Sequence, residues 1–375
     1  FIYNAIYGYI KMIKETDLTN IYKQKNIIDR QQFEFLKINN IDDYLIEISK
    51  DMRLNCIPIK YLLSHRYVSD NIFDKNTFDI ILSELVEHNS IVIMSSRNYA
   101  NTTKRKEKYY GTNYNSYKFE TLIKKDFKLN NNVKLPVSNP YIVSNIDELQ
   151  IQDTSQYPIK IIDNIYWKYN SSFTKSHVCL DAIIQLPNMK NSIANQLNMI
   201  LFSEYIKQVM EPIIYQINMA GYNLSIDLIN DSIYIHLYGF REKINTILKT
   251  IIDTIMSCAN IDKIDINNMD YIKKTVKSNI RNMYYAQPYI KIHGRIRKFM
   301  ENNYFDHMDM IKQINNAMLT NINEILAKND VYCLCQGNLS EDNAKEISNI
   351  LKKLNTSKTD NYIESIKHKV SSKYF

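Results

Sequence analysis

The chain has 375 residues and a formal net charge of +7, with 45% hydrophobic and 23% charged residues. That is enough for two domains that each bury a core, and the balance excludes global disorder. Only 6 Gly and 7 Pro are present, and neither GxGxxG nor GxxxxGKS/T occurs, which excludes Gly-rich phosphate-binding loops.

The chain starts at Phe1 without an initiator Met and without a signal-peptide pattern; the expectation is a longer protein extending upstream. Ile2, Ala5, Ile6, Tyr9, Ile10 and Ile13 keep helical spacing, with Lys11 and Lys14 opposite. This predicts an amphipathic helix packed on protein, not a membrane anchor. No window reaches the ~18 uncharged apolar residues a membrane-spanning helix requires. Helical spacing continues through Ile41 to Leu54 and through Asn76 to Glu87. Ile91 to Met94 predicts a short buried strand, followed by an exposed polar loop over Asn98 to Lys108. Leu135 to Asp147 contains Pro136 and Pro140 and lacks periodicity. It predicts a linker feeding an extended connector up to Tyr157–Pro158.

Beyond it the pattern changes. Val178, Leu180, Ala182, Ile184 and Leu186 alternate with Cys179, Asp181 and Gln185, a strand ended by Pro187. A helix runs from Ser192 to Met210, and Glu211–Pro212 opens a second helical piece, since Pro suits a first turn. Gly221 closes that piece as a left-handed cap. Tyr222 to Leu228 and Ile233 to Leu237 form a hairpin across Asn230–Asp231. Ile244, Ile247, Leu248, Ile251, Ile252, Ile255 and Met256 form a helical core stripe. Helical spacing from Asp265 to Tyr285 breaks at Gln287–Pro288 and resumes to Met300. Val331, Cys333 and Cys335 mark a last strand, and Gly337–Asn338 turns into a helix capped by Ser340. Together these elements specify an α+β domain with helices packed on one face of a mainly antiparallel sheet.

The chemistry is sparse. The cysteines Cys56, Cys179, Cys258, Cys333 and Cys335 fit no disulfide scaffold and are expected to be buried core thiols in a reducing compartment, which favours the cytoplasm. Cys333 and Cys335 flank one residue and share one side of a strand, but no second Cys/His pair lies at a metal-binding spacing. No two histidines are four apart, so HExxH and HxxEH are both absent. Glu84-Leu85-Val86-Glu87-His88 has Glu where the inverted motif needs its first His, and His88 at a helix end is expected to be a surface residue. No GxSxG or paired acidic motif appears. The chain is therefore expected to hold no catalytic or metal-ligating residue and to be inactive alone.

The strongest electrostatic feature is Tyr271 to Met300, with Lys273, Lys274, Lys277, Arg281, Lys291, Arg295, Arg297 and Lys298 and no Asp or Glu. Lys291, Arg295 and Lys298 recur at helical spacing beside Tyr284, Tyr285 and Tyr289. They are the candidate site residues, as a basic surface facing a peptide. Basic residues mixed with aromatics also track nucleic acid, and the same pattern occurs on a solvated helix face. A net charge of +7 is modest for a nucleic-acid binder, so neither nucleic acid nor membrane is expected as a partner.

Several segments resemble, in order, the insulinase/pitrilysin-type zinc metallopeptidases, insulysin among them. Tyr109-Tyr110-Gly111-Thr112-Asn113-Tyr114 is similar to that family's WYGTxY segment, with Tyr109 in place of Trp. Lys134-Leu135-Pro136 with Asn139 and Asn145 resembles its connector, although Val143-Ser144 replaces Pro-Thr. Trp167-Lys168, Phe173 and Val178-Cys179-Leu180 resemble the strands opening the third domain, with Ser176 where Pro is usual. Met219-Ala220-Gly221-Tyr222, Tyr238-Gly239-Phe240 and Gln336-Gly337-Asn338-Leu339-Ser340 look like the family's LAGL, KGY and HGNIT segments. Asn282 and Gln287-Pro288 match NFRAEQP, from which Tyr284, Tyr285 and Ala286 depart.

The resemblance implies four homologous α+β domains in two bowl-shaped halves closing around a peptide. Zinc is then expected in the parent enzyme's first domain, with no cofactor in this chain, and the catalytic arginine and tyrosine in the fourth. Residues 1–147 would be the C-terminal part of the second peptidase-like domain, and 148–163 a connector. Residues 164–357 would be the third, non-catalytic domain, and 358–375 the start of a linker. The expected partners are a peptide substrate and the other domains of the same polypeptide. The implied role is part of the wall of the peptide-enclosing chamber. The alternatives are a pseudo-peptidase acting as a peptide-binding or scaffold protein, and a basic RNA-associated module.

Overall fold

The computed structural model describes residues 2–354, apart from 37, 39, 55, 69–71, 100, 119–132, 148, 150, 152–154, 171–175, 230, 260–265, 286, 301–303, 317–318 and 320–321. Phe173, Asp265, Asn230 and the linker reading of 358–375 lie outside the described residues. The chain forms two compact units, Phe1–Asn139 and Pro140–Phe375.

The first unit is helical: α1 (Ile2–Lys14), α2 (Thr19–Glu34), α3 (Ile41–Met52) and α4 (Lys75–Glu84). Asn40 and Asp74 cap the last two, each side chain accepting two backbone N–H groups of the first turn. Asp51 is buried and pairs with the Arg66 guanidinium at 2.7 Å, while Glu47 meets the same guanidinium from outside. That bidentate contact holds the Asp51 carboxyl below its usual range. The two-residue strands β1 (Arg105–Lys106) and β2 (Asn113–Tyr114) pair antiparallel, and Gly111 supplies a positive φ in the connection.

The expected buried strand at Ile91 to Met94 does not form. Ile91 is 91% and Ile93 88% exposed, and the segment pairs with no strand among the described residues. An apolar run becomes a strand only where a neighbour completes its ladder and covers its side chains. No described residue does so here.

The second unit carries a six-stranded sheet in the order β3 (Ile159–Ile162), β4 (Ile165–Tyr169), β8 (Asp330–Gly337), β5 (His177–Gln185), β7 (Ser232–Phe240), β6 (Asn223–Ile229). All pairs are antiparallel except β4 with β8. The helices are α5 (Ile193–Met219), α6 (Arg241–Cys258), α7 (Ile266–Tyr284), α8 (Pro288–Met300), α9 (His307–Gln313), α10 (Ile322–Ala327) and α11 (Glu341–Leu351). The architecture is α+β, as the sequence specifies.

Alternation along the central strands divides the sheet. Leu180, Ala182 and Ile184 of β5 share one face with Ile235 and Leu237 of β7 and Cys333 and Cys335 of β8, and all are buried. Ile247, Leu248, Ile251, Ile252 and Ile255 of α6 are buried as well, each such side chain stabilising the fold by roughly 1.5–3 kcal/mol. Met256 is an exception to the expected stripe and is 40% exposed. Four of the five cysteines are buried as expected, and Cys56 is exposed.

The expected break at Glu211–Pro212 is also absent, because α5 runs unbroken for 27 residues with Pro212 inside it. Pro212 sits on an exposed side of the helix, and it leaves only the carbonyl one turn before it without a helical donor. Gly337 is required where β8 passes β5, since a Cβ there would lie 2.5 Å from the His177 carbonyl oxygen.

The segment after Pro140 is fixed to the sheet by a clamp. The backbone N–H groups of Ser144 and Asn145 donate to the Glu242 carboxylate at 2.8 and 2.7 Å, in the first turn of α6. The Asn338 amide oxygen accepts from Leu149 N–H and from Arg241 Nη1, and its NH2 donates to the Leu149 carbonyl. Arg241 Nη2 donates to the Asp147 carbonyl at 2.8 Å. Trp167 Nε1 donates to the Leu339 carbonyl at 3.0 Å.

Ile251→Ala is expected to cost about 2–5 kcal/mol, and Met256→Ala no more than about 0.5 kcal/mol. Urea unfolding of the two variants measures both, and equal losses would contradict the assignment of the α6 core face.

Candidate functional site

The candidate site is built on consecutive helices. α7 buries Ile272, Val276 and Ile280, spaced one turn apart. It directs Lys273 and Lys277 to the Asn315 carbonyl and side chain, both at 3.3 Å. Pro288 starts α8 at a position whose N–H lacks a helical partner anyway. None of the residues of α8 is buried.

At 3.6 residues per turn, Ile290, His293, Gly294 and Arg297 share one face of α8. They close one side of a cavity of about 480 Å³ whose other walls include Ile200, Lys207 and Ile280. Lys207 pairs with Asp227 at 3.1 Å within that wall. The Arg297 guanidinium lies 5.1 Å over the Tyr304 ring, and a Cβ on Gly294 would come within 3.1 Å of the Tyr304 hydroxyl.

Lys291, Arg295 and Lys298 follow one another along the other side of α8 and do not line the cavity. All three are exposed. Lys291 Nζ lies 5.9 Å over the Tyr285 ring, and Lys298 Nζ is 3.7 Å from an Asp306 carboxylate oxygen. Beside them Ile292, Ile296 and Phe299 recur at i, i+4 and i+7 with exposures of 57%, 46% and 59%. The sequence isolated the cations but not this apolar stripe, which in sequence alone is indistinguishable from a core face. Together they form a cationic, partly apolar helix surface suited to an anionic segment with apolar side chains. His88 is exposed in the short turn Glu87–Asn89, away from any zinc motif.

A second group of reactive side chains lies on the opposite face of the sheet from its apolar core. Cys179 and Asp181 are two apart on β5, and His236 of β7 stands directly across from Asp181. His236 Nδ1 is 2.7 Å from Asp181 Oδ1, so Nδ1 carries the proton and donates to the carboxylate. Tyr234 donates to the same oxygen, and the Cys179 thiol donates to Oδ2 at 3.5 Å. Burial works to raise the Asp181 pKa, but the donors Tyr234 and His236 outweigh it and hold the carboxyl below its usual range. Burial, then the adjacent carboxylate, pushes the Cys179 thiol up to about 12. Sequence spacing cannot reveal the group, because joining positions 181 and 236 requires the strand register.

A carboxyl with a depressed folded pKa contributes stability that is present above its unfolded pKa and lost as pH falls through its folded value. The difference in urea midpoint between the wild-type chain and Asp181→Asn should therefore shrink as pH falls below about 4. A difference that stays constant with pH would show that the carboxylate charge contributes nothing.

Comparison with known proteins adds to this geometry. Residues 33–313 match the family described as the middle or third domain of M16 peptidases. The chain is 24% identical over 372 residues to a nardilysin-like protein of Arabidopsis thaliana, covering 92% of this chain and 35% of that protein. It is 23% identical over 305 residues to the insulin-degrading enzyme of Homo sapiens, covering 78% of this chain and 29% of that enzyme. The chain thus spans about a third of the length of these relatives. The crystal structure of pitrilysin shares the fold, with a TM-score of 0.70 at 15% identity over 94% of this chain and 38% of that one. No described helix is long and apolar enough to cross a membrane.

Proposed function

Because the chain belongs to the M16 peptidase family and matches its middle or third domain, we propose that it is a non-catalytic segment of an insulysin-like zinc metalloendopeptidase that forms part of the wall of a peptide-enclosing chamber. In this reading residues 1–147 complete the second peptidase-like domain, 148–163 connect, 164–357 form the third domain, and 358–375 begin a linker. The zinc belongs to the first domain of the parent enzyme, and the other domains of the same polypeptide are this chain's permanent partners.

The exposed side of α8 is the observation that supports the wall assignment. Lys291, Arg295 and Lys298 supply a positive field, and Ile292, Ile296 and Phe299 supply uncovered apolar surface beside it. An exposed ion pair is worth roughly 0.2–1 kcal/mol, so three cations bias binding without making it tight. That suits a surface which holds and releases many peptides. The occupant is an acidic or carboxyl-ended peptide stretch carrying apolar side chains.

The test is fluorescence anisotropy of a labelled acidic peptide containing Leu and Phe, titrated with the chain. The triple variant Lys291→Glu/Arg295→Glu/Lys298→Glu should weaken binding about 3- to 100-fold, the span set by three such pairs at 1.4 kcal/mol per decade. Added salt should weaken the wild-type interaction in the same direction. Unchanged binding by the triple variant would overturn the proposal, as would retention of an oligonucleotide or of anionic vesicles in preference to the peptide. In the whole protein the same triple should alter KM or cleavage preference. Peptide binding without any hydrolysis by the whole protein would replace the peptidase reading with that of a peptide-binding pseudo-peptidase.

A further inference from the structure

We propose that Cys179, Asp181 and His236 form a binding site for a zinc-class divalent cation, independent of the peptide-facing helix. The donor atoms of the three side chains all lie within 4.8 Å of one another. They comprise one thiol sulfur, one carboxylate and one imidazole nitrogen, the donor types zinc takes in proteins. β5 and β7 lie inside the six-stranded sheet, each paired on both edges, so the three Cα positions are fixed by ladder hydrogen bonds. Rigid elements of this kind hold ligands better than loops do.

The electrostatics favour a cation. Asp181 is only 26% exposed, and its ion-pair partner among the described residues is His236, itself charged only when protonated. Its other donors, the Tyr234 hydroxyl and the Cys179 thiol, are neutral. The carboxylate is thus held by neutral hydrogen-bond donors, and a divalent ion at this point adds a charge–charge attraction that none of them supplies. Binding forms bonds to Cys179 Sγ, an Asp181 oxygen and the His236 nitrogen that faces it. The thiol proton leaves to solvent, and the imidazole proton moves from Nδ1 to Nε2. The Asp181–His236 hydrogen bond is given up, while Tyr234 stays on the carboxylate as the outer donor that orients it. The partial exposure of Asp181 and His236, at 26% and 32%, leaves a fourth position open to water. Cys333 and Cys335, whose sulfurs are 3.6 Å apart, face the buried side of the sheet and take no part.

The experiment titrates the metal-free chain with Co2+ alone and reads the visible d–d bands and the near-ultraviolet thiolate-to-cobalt band. One equivalent should produce both, and Zn2+ should displace them. Cys179→Ser should abolish the near-ultraviolet band, and His236→Gln and Asp181→Asn should each weaken binding at least about tenfold. Tyr234→Phe should weaken it by about 10- to 100-fold, the usual effect of an outer-shell partner. Cys333→Ser/Cys335→Ser should leave the spectrum unchanged. Circular dichroism checks that each variant folds. Should Cys179→Ser fail to fold, His236→Gln decides, because its partly exposed position tolerates the change. A folded His236→Gln chain with undiminished affinity, a thiolate band that survives Cys179→Ser, or no stoichiometric band in the wild type would each overturn the site.

Discussion

The register of β5 is the constraint on which the second unit depends. Its residues pair along the length of β7 on one side and with β8 on the other. Side chains alternate between faces with period two, so this pairing fixes at once which residues meet the helices and which meet the opposite side. Leu180, Ala182 and Ile184 become core. Cys179 and Asp181 are delivered to the other face beside His236 and Tyr234. A slip of one residue would put the carboxylate among the isoleucines of α6, at a cost far above that of any single apolar contact. The hydrophobic core therefore enforces the geometry of the polar cluster.

The clamp around Asn338 carries the same ordering outward. Gly337 ends β8 at a close approach to β5, and the next residue turns its amide onto Leu149 and Arg241. Arg241 and Glu242 begin α6 and bind the backbone of 144–147. An irregular segment with little periodicity is thus given defined hydrogen-bond partners by one strand end and one helix start. Burial opposes ionisation of Glu242, yet the N–H groups of Asn145 and Ser144 and the Lys243 ammonium hold its carboxyl below the usual range. The carboxylate is the form that fits.

Most of this fold is legible in the sequence because most of it is periodic. The alternation at Val178 to Leu186, the stripe on α6 apart from Met256, the cap at Gly221 and the Ser340 cap all stand where local spacing puts them. The fold departs from its local signals where a signal depends on a non-local partner. Pro212 reads as a helix start but is carried through an exposed turn of a long helix. Ile91 to Met94 reads as a buried strand, and strand formation needs a neighbour that no motif announces. The cations of α8 were legible as a row, whereas Ile292, Ile296 and Phe299 were not legible as exposed. Helical spacing gives the face and not what covers it. The cysteine–carboxylate–imidazole group was invisible for a related reason, since motif spacings identify ligands on one element and these lie on two.

The two units differ in how much apolar surface they bury, and that difference governs where function can be argued. The first unit buries Ile28 and Leu82 among its described large apolar residues and leaves Ile59, Ile91 and Ile93 almost fully exposed. The second buries an almost continuous set from Val178 to Leu354. Exposed apolar groups in the first unit are too many to single out one functional face, because the whole unit is under-covered. In the second unit several tyrosines and Ile229 are exposed as well, and α8 is set apart by an apolar stripe at i, i+4 and i+7 that runs beside three cations. On the other face of the sheet, Asp181 stands beside Cys179 and His236, so that a carboxylate, a thiol and an imidazole converge where a cation can engage all three.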